Sequence, residues 1–290
     1  KGETTTKLAE SVKMKRTTYE KAKKVYEEAP EPIKKQWQEG KLSTHAAYQR
    51  INKREQLEEK EEQKREQYKE STHIENHIVQ GDAVQLLDKI ENASFDLLLT
   101  DPPYSTRIED FKAFLEGWLP KAMQKIKDTG RVYIFTGSYI NEISDYISVF
   151  NSLNNEFKLS NLLVWHYRNN IGPAPKYEYK RGWQGVFYLY GKNAPPLDSP
   201  LTKDLFDHFD YPLPDGRQEI KYHSHQKPEE LIKQLIILST KRGDRILDLF
   251  AGSGTIGLNA SKLERYCLSI EKKEENVEIC KNRGLVYYEL

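Results

Sequence analysis

From Ile74 onward, short apolar runs alternate with amphipathic stretches, whereas the segment before Ile74 carries dense charge around a thin apolar stripe. The runs His77–Gln80, Phe95–Thr100, Arg131–Thr136, Asn161–Tyr167, Gly185–Tyr190, Arg245–Phe250 and Tyr266–Ile270 have strand length. Most are continuously apolar, as strands covered on both faces are. Between them, Val84–Ile90, Glu109–Ile126, Ile140–Phe150, Pro228–Thr240, Thr255–Leu263 and Glu274–Arg283 keep helical spacing. This alternation predicts an α/β domain with a mostly parallel twisted sheet and helices on both faces.

The N-terminal part reads differently. Leu8, Val12, Tyr19, Ala22 and Val25 recur at helical spacing amid Lys and Glu, until Pro30-Glu31-Pro32 interrupts. A small α-helical domain over residues 1–52 is expected. Residues 53–72 are almost entirely Lys, Arg, Glu and Gln up to Lys69, with Glu61 and Arg65 at i,i+4 spacing, as in a solvated helical linker. The α/β domain then covers 73–290. Within it, residues 191–222 turn Pro- and Asp-rich without a period, and predict a loop or short recognition insert.

Charge and cysteines narrow the classes. Across 290 residues, 45 Lys and Arg nearly balance 44 Asp and Glu, so net charge alone does not mark a nucleic-acid binder. The two cysteines, Cys267 and Cys280, have neither disulfide-framework nor metal-ligand spacing. A reduced intracellular protein, cytoplasmic or nucleoid-associated, with no membrane span and no metal is expected. The chain opens on Lys1 rather than Met, as a fragment or processed form would.

Two loops carry candidate chemistry. Asp244 to Phe250 reads as a buried strand, followed at once by Ala251-Gly252-Ser253-Gly254-Thr255 and a helical run. Strand, glycine turn and helix suit a nucleotide-type cofactor, because glycines admit close backbone approach and the helix N-terminus receives an anion. Asp248 and Phe250 flank this turn. Glu271, ending the next strand about twenty residues on, stands where a carboxylate accepts ribose hydroxyls. The Lys-Ser/Thr of a phosphate-binding loop is absent, which argues against a nucleoside triphosphatase.

At the end of another apolar strand stands Asp101-Pro102-Pro103-Tyr104. Here the prolines stiffen the turn, so a carboxylate, a fixed carbonyl and an aromatic ring converge. That set suits an exocyclic amine on a planar base. Accepting both N–H hydrogens at Asp101 and the Pro102 carbonyl turns the delocalised lone pair outward, while Tyr104 stacks on a base flipped from its duplex. Gly81-Asp82-Ala83 follows the first strand and is a candidate for the cofactor's adenine, with a plain helix N-cap as the alternative. Gln226-Lys227-Pro228, after His225, is read as a helix start beside the glycine loop, with Lys227 available to a cofactor carboxylate. His223 and His225 lack a third metal ligand at suitable spacing.

With these motifs in place, the chain resembles the β-group of DNA amino-methyltransferases over about Ile74 to Leu285. In that group the Asp-Pro-Pro-Tyr motif precedes Phe-X-Gly-X-Gly. The resemblance implies a Rossmann-like methyltransferase fold with one antiparallel strand and S-adenosylmethionine as cofactor. It implies a catalytic pocket at Asp101–Tyr104 and cofactor contacts at Asp82 and Glu271. It also implies adenine N6 as the target, with cytosine N4, or an RNA or protein amine, as alternatives and a non-catalytic DNA-binding subunit as the reading from another class. A cytosine carbon-5 enzyme would need a nucleophilic Cys after Pro, which neither cysteine satisfies.

The expected partner is DNA. A protein partner or homo-oligomer stays open, and a restriction endonuclease partner is unspecified. Because the insert is short and acidic around Asp204–Asp210, DNA contacts are also sought at Arg168 and Asn169 and at Lys176, Lys180 and Arg181, where cations and aromatics interleave. Near the N-terminus, Leu8–Val12, a Lys-Met-Lys-Arg turn and Thr17–Lys24 have helix-turn-helix proportions and resemble the DNA-binding segment of ParB-like proteins. Lys13 stands in the turn where Gly is common. Thr17, Thr18, Lys21 and Lys24 are the contact candidates there.

Overall fold

The computed structural model describes residues 14–52, 76–153, 156–170, 173–198, 205–214 and 226–290. The charged linker, Leu8–Val12, Lys13, His223 and His225 lie outside the described residues. Two compact units divide the chain, Lys1–His73 and Ile74–Leu290.

In the first unit, α1 (Arg16–Glu28) and α2 (Glu31–Gln38) precede α3, a helix at 44–52. Pro32 sits in the first turn of α2, where its missing N–H costs nothing. Gly40, at φ +72°, turns the chain after α2, and Ser43 Oγ accepts the Ala46 N–H at 3.2 Å to start the next helix. Val25, Ala29, Ala47 and Ile51 form a separate small core. Helix α1 opens at Arg16, inside the expected turn, and carries Thr17, Thr18, Lys21 and Lys24.

Among the described residues, the second unit is built on one nine-stranded sheet. In chain order its strands are β1 (His77–Gln80), β2 (Phe95–Thr100), β3 (Ile126–Thr136), β4 (Phe157–His166), β5 (Trp183–Gly191), β6 (His208–Asp210), β7 (Arg245–Asp248), β8 (Tyr266–Glu271) and β9 (Val286–Tyr287). They lie in the order β6-β4-β5-β3-β2-β7-β8-β1-β9. Among the described residues, only β5 runs antiparallel to its neighbours. The helices are α4 (Ala83–Leu86), α5 (Phe111–Lys125), α6 (Ile140–Ser152), α7 (Glu229–Ser239), α8 (Thr255–Lys262) and α9 (Glu274–Asn282).

Successive residues of β2 feed opposite layers, as a doubly covered strand must. Leu98 joins Leu115, Trp118 and Tyr146 from α5 and α6, whereas Leu97 and Leu99 join Leu231, Leu235 and Ile256 from α7 and α8.

Several boundaries differ from the sequence reading. Strand β3 begins at Ile126 rather than Arg131, because Ile126 pairs with Phe95 across a register shift. Strand β7 stops at Asp248, where the chain enters the glycine turn. The stretch read as helix Val84–Ile90 is α4 followed by a 3₁₀ turn, Leu87–Lys89. The insert is more than a loop: His208–Asp210 forms an edge strand parallel to β4, with Phe209 buried. Its acidic composition hid a strand paired on one side only.

Candidate active site

Strands β2 and β7 are adjacent and parallel, so the loops that leave their carboxyl ends emerge side by side. Open α/β sheets bind ligands at this edge. A cavity of about 730 Å³ opens there, lined by both loops. Into it come Asp101, Pro102, Pro103 and Tyr104 with Asp82, Ala83, Phe250, Ala251, Gly252, Ser253, Thr255, Glu271, Gln226 and Lys227. Roughly 300–1,000 Å³ is the usual size of a small-molecule site.

The glycine turn is shaped by two left-handed residues. At Gly252, φ is +54° and an added Cβ would enter open space, while at Gly254, φ is +76° and a Cβ would lie 2.9 Å from Cys280 Sγ and Leu285. The first glycine therefore leaves backbone exposed to the cavity, and the second lets α8 start against α9. Glu271 Oε2 accepts the Gly252 N–H at 2.8 Å, and its Oε1 accepts Lys273 N–H at 2.9 Å, so this carboxylate is fixed at the cavity wall. Asp82 caps α4 by accepting the Val84 N–H at 2.9 Å, and it pairs with Lys272 at 3.0 Å while still lining the cavity.

At the other end, Asp101 Oδ1 accepts the Tyr104 hydroxyl at 3.0 Å, and Oδ2 accepts the Lys227 ammonium. Lys227 also donates to the Tyr104 oxygen at 3.1 Å, and that hydroxyl lies 2.9 Å from Gln184 Oε1. Burial, reinforced by Asp101, pushes the Tyr104 phenol well above its ordinary pKa, so it stays a neutral donor. No described residue donates to the Pro102 carbonyl.

Some expected contacts are corrected. Asp248 is fully buried and absent from the cavity wall; it braces the turn through Thr100 and the Phe250 N–H instead. Gly254 faces α9, and Pro228 is the N-cap residue of α7. The Lys227 ammonium sits on Asp101 rather than at the glycine turn. Asn169 exchanges two 2.8 Å hydrogen bonds with the Leu213 backbone, which commits its amide to holding the insert. Arg168, Lys176 and Lys180 are exposed, while Arg181 lines the cavity and stacks 4.1 Å from the Tyr139 ring centre. In the N-terminal unit Thr17 and Thr18 are exposed, Lys21 meets His45 Nδ1 at 3.3 Å and Lys24 pairs with Glu28 at 3.7 Å.

The wall also includes Ser138, Tyr139, Tyr167, Trp183 and Gln184, which the motifs did not single out. Topology is the signal that finds them. Ser138 and Tyr139 follow β3, Tyr167 follows β4, and Trp183 and Gln184 open the antiparallel β5, which starts at the edge where its neighbours end.

Neither cysteine is built as a nucleophile: both are buried, and burial pushes the Cys280 thiol up to about 12 and that of Cys267 higher still. Among the described residues, no cluster of His, Cys, Asp and Glu could hold a metal, and no helix is long and apolar enough to cross a membrane.

The family described as DNA methylase matches residues 95–282, a span that contains both loops. The chain belongs to the DNA methylase family. Its motif order is that of the β-group of DNA amino-methyltransferases. It is similar to the Type II methyltransferase M.HpaI of Haemophilus parainfluenzae, at 27% identity over 246 residues, 72% of this chain and 74% of that one. Among solved structures, the PvuII DNA methyltransferase, described as cytosine-N4-specific, superposes with a TM-score of 0.64 at 21% identity, over 73% of this chain and 88% of that one. The M1.HpyAVI–SAM complex superposes with a TM-score of 0.58 at 25% identity, over 71% and 98% of the two chains.

Proposed function

We propose that this DNA methylase transfers a methyl group from S-adenosylmethionine to the exocyclic N6 of an adenine flipped out of the duplex. The observation that carries the reading is the single cavity holding both the Asp101–Tyr104 loop and the glycine turn. Its residues fit the cofactor: Gly252 leaves open space where a side chain would stand, and Glu271 presents a fixed carboxylate. Gly252, Ser253, Asp82 and Glu271 would hold it, with Phe250 as an apolar wall. When bound, S-adenosylmethionine supplies an electrophilic methyl group on a sulfonium.

The remaining work falls to side chains of this chain. Each carboxylate oxygen accepts more than one hydrogen bond, so Asp101 keeps room for an amine N–H beside Tyr104 and Lys227. The Pro102 carbonyl takes the second N–H. With both hydrogens held, the nitrogen lone pair is freed from the ring, and the negative charge of Asp101 lies where positive charge develops on nitrogen. Tyr104, Tyr139, Tyr167 and Trp183 supply aromatic surface for an unstacked base.

DNA is engaged by Arg168 and the Lys176–Arg181 loop, and by Thr17, Thr18, Lys21 and Lys24 on α1. Removing Lys176 and Lys180 together should lower the slope of log affinity against log salt by about one per lost phosphate contact. An unchanged slope would refute that role.

The deciding experiment incubates the protein with labelled S-adenosylmethionine and mixed DNA, then identifies the modified nucleoside by mass. N6-methyladenine is expected. N4-methylcytosine would overturn the base assignment, and DNA left unlabelled would overturn the DNA substrate.

A further inference from the structure

Glu142, in the first turn of α6, is a fully buried carboxylate with three donors and no described cation against it. Its Oε1 accepts the Thr136 hydroxyl at 2.7 Å and the Gly137 N–H at 2.5 Å, and its Oε2 accepts the Ser105 N–H at 2.7 Å. Ser105 directly follows Tyr104, while Thr136 ends β3. One side chain thus stitches the catalytic loop to the turn beside it. Burying a carboxylate without a cation is costly, and an apolar residue would hold α6 on the sheet without that cost.

The stitched turn has a further property. It presents Ser138, a cavity-lining residue whose Oγ is buried and has no partner among the described residues. Gly137 makes the approach possible, since a Cβ there would lie 2.7 Å from the Tyr139 ring and 3.2 Å from Glu142 Oε1.

We propose that Glu142 is a positioning residue for the target-base pocket. It holds the Asp101–Tyr104 loop through Ser105, and through Thr136 and Gly137 it holds the turn that carries Ser138 at the cavity wall. Glu142 itself touches neither base nor cofactor. This rests on the base-pocket reading above.

The test uses the full chain, with S-adenosylmethionine binding by calorimetry and methyl transfer to DNA under saturating cofactor. Glu142→Gln keeps the shape of the side chain but turns one acceptor into a donor facing N–H groups. Its kcat should fall ~10- to 100-fold through misplacement of the loop, while cofactor affinity stays within about twofold of the parent. An unchanged kcat, or cofactor affinity lost along with kcat, would overturn the proposal, the latter because it marks a general structural role. Failure of the base-pocket reading itself would show separately, as full activity in Asp101→Ala.

Discussion

The Thr100 hydroxyl donates to Asp248 Oδ1 at 3.0 Å, which joins the last residue of β2 to the last residue of β7 inside the sheet. Thr100 Oγ1 also accepts the Leu249 N–H at 3.1 Å, and Asp248 Oδ1 accepts the Phe250 N–H at 3.2 Å. The spacing between the two cavity-forming loops is therefore set by hydrogen bonds behind them. Thr100→Val keeps the shape and removes the link, leaving buried groups unpaired. Unfolding stability should drop by ~1–3 kcal/mol, read by urea denaturation, and methyl transfer should fall more than cofactor binding. Full stability in this variant would show the link to be dispensable.

Asp248 also predicts a pH dependence. Burial raises its pKa from the ordinary 3.8 to about 7, with the charges of Asp101 and Glu271 adding to the rise. The folded state thus keeps a proton that the unfolded chain releases. This stabilising contribution is complete below the unfolded pKa and is lost as pH rises through about 7. Asp248→Asn removes the titration, so the difference in Tm between parent and variant should shift in favour of the variant from about pH 4 to about pH 8. A difference that stays constant over that window would contradict a buried, protonated Asp248.

The two glycines of the turn should separate fold from binding. In Gly254→Ala the new methyl meets Cys280 and Leu285 at a positive φ, so stability falls. In Gly252→Ala the strain is similar but the methyl enters the cavity, so cofactor affinity should suffer more than in proportion to stability. Calorimetry and thermal melts on both variants check this; equal loss of affinity at equal stability would contradict it.

Apolar runs located most of the strands because they are buried on both faces, and the two motif loops were legible because each combines rigid or permissive residues with a side chain of definite chemistry. What stayed hidden was created by pairing and topology. Strand β6 reads as an acidic loop, since only Phe209 is buried. Tyr139 belongs to the cavity because β3 ends at that edge, and Trp183 and Gln184 because β5 runs against its neighbours. Asp248 and Gly254 sit within a ligand-binding motif, yet their atoms face protein. Sequence spacing alone does not distinguish the residues that touch a ligand from those that hold the touching ones. The placement of Lys227 on Asp101 likewise depends on where α7 docks.

That ion pair bears on the central claim, because Lys227 is 5% exposed and loses its carboxylate in Asp101→Ala. Removing one partner of a buried ion pair is destabilising, so the variant should melt earlier than the parent, and its cofactor binding serves as the measure of folding. The most direct measurement is transfer of labelled methyl from S-adenosylmethionine to DNA by Asp101→Ala, alongside equilibrium binding of the cofactor to the same preparation. Cofactor binding with no transfer is the predicted result. Transfer at the parental rate would contradict the assignment of Asp101 to the reacting amine.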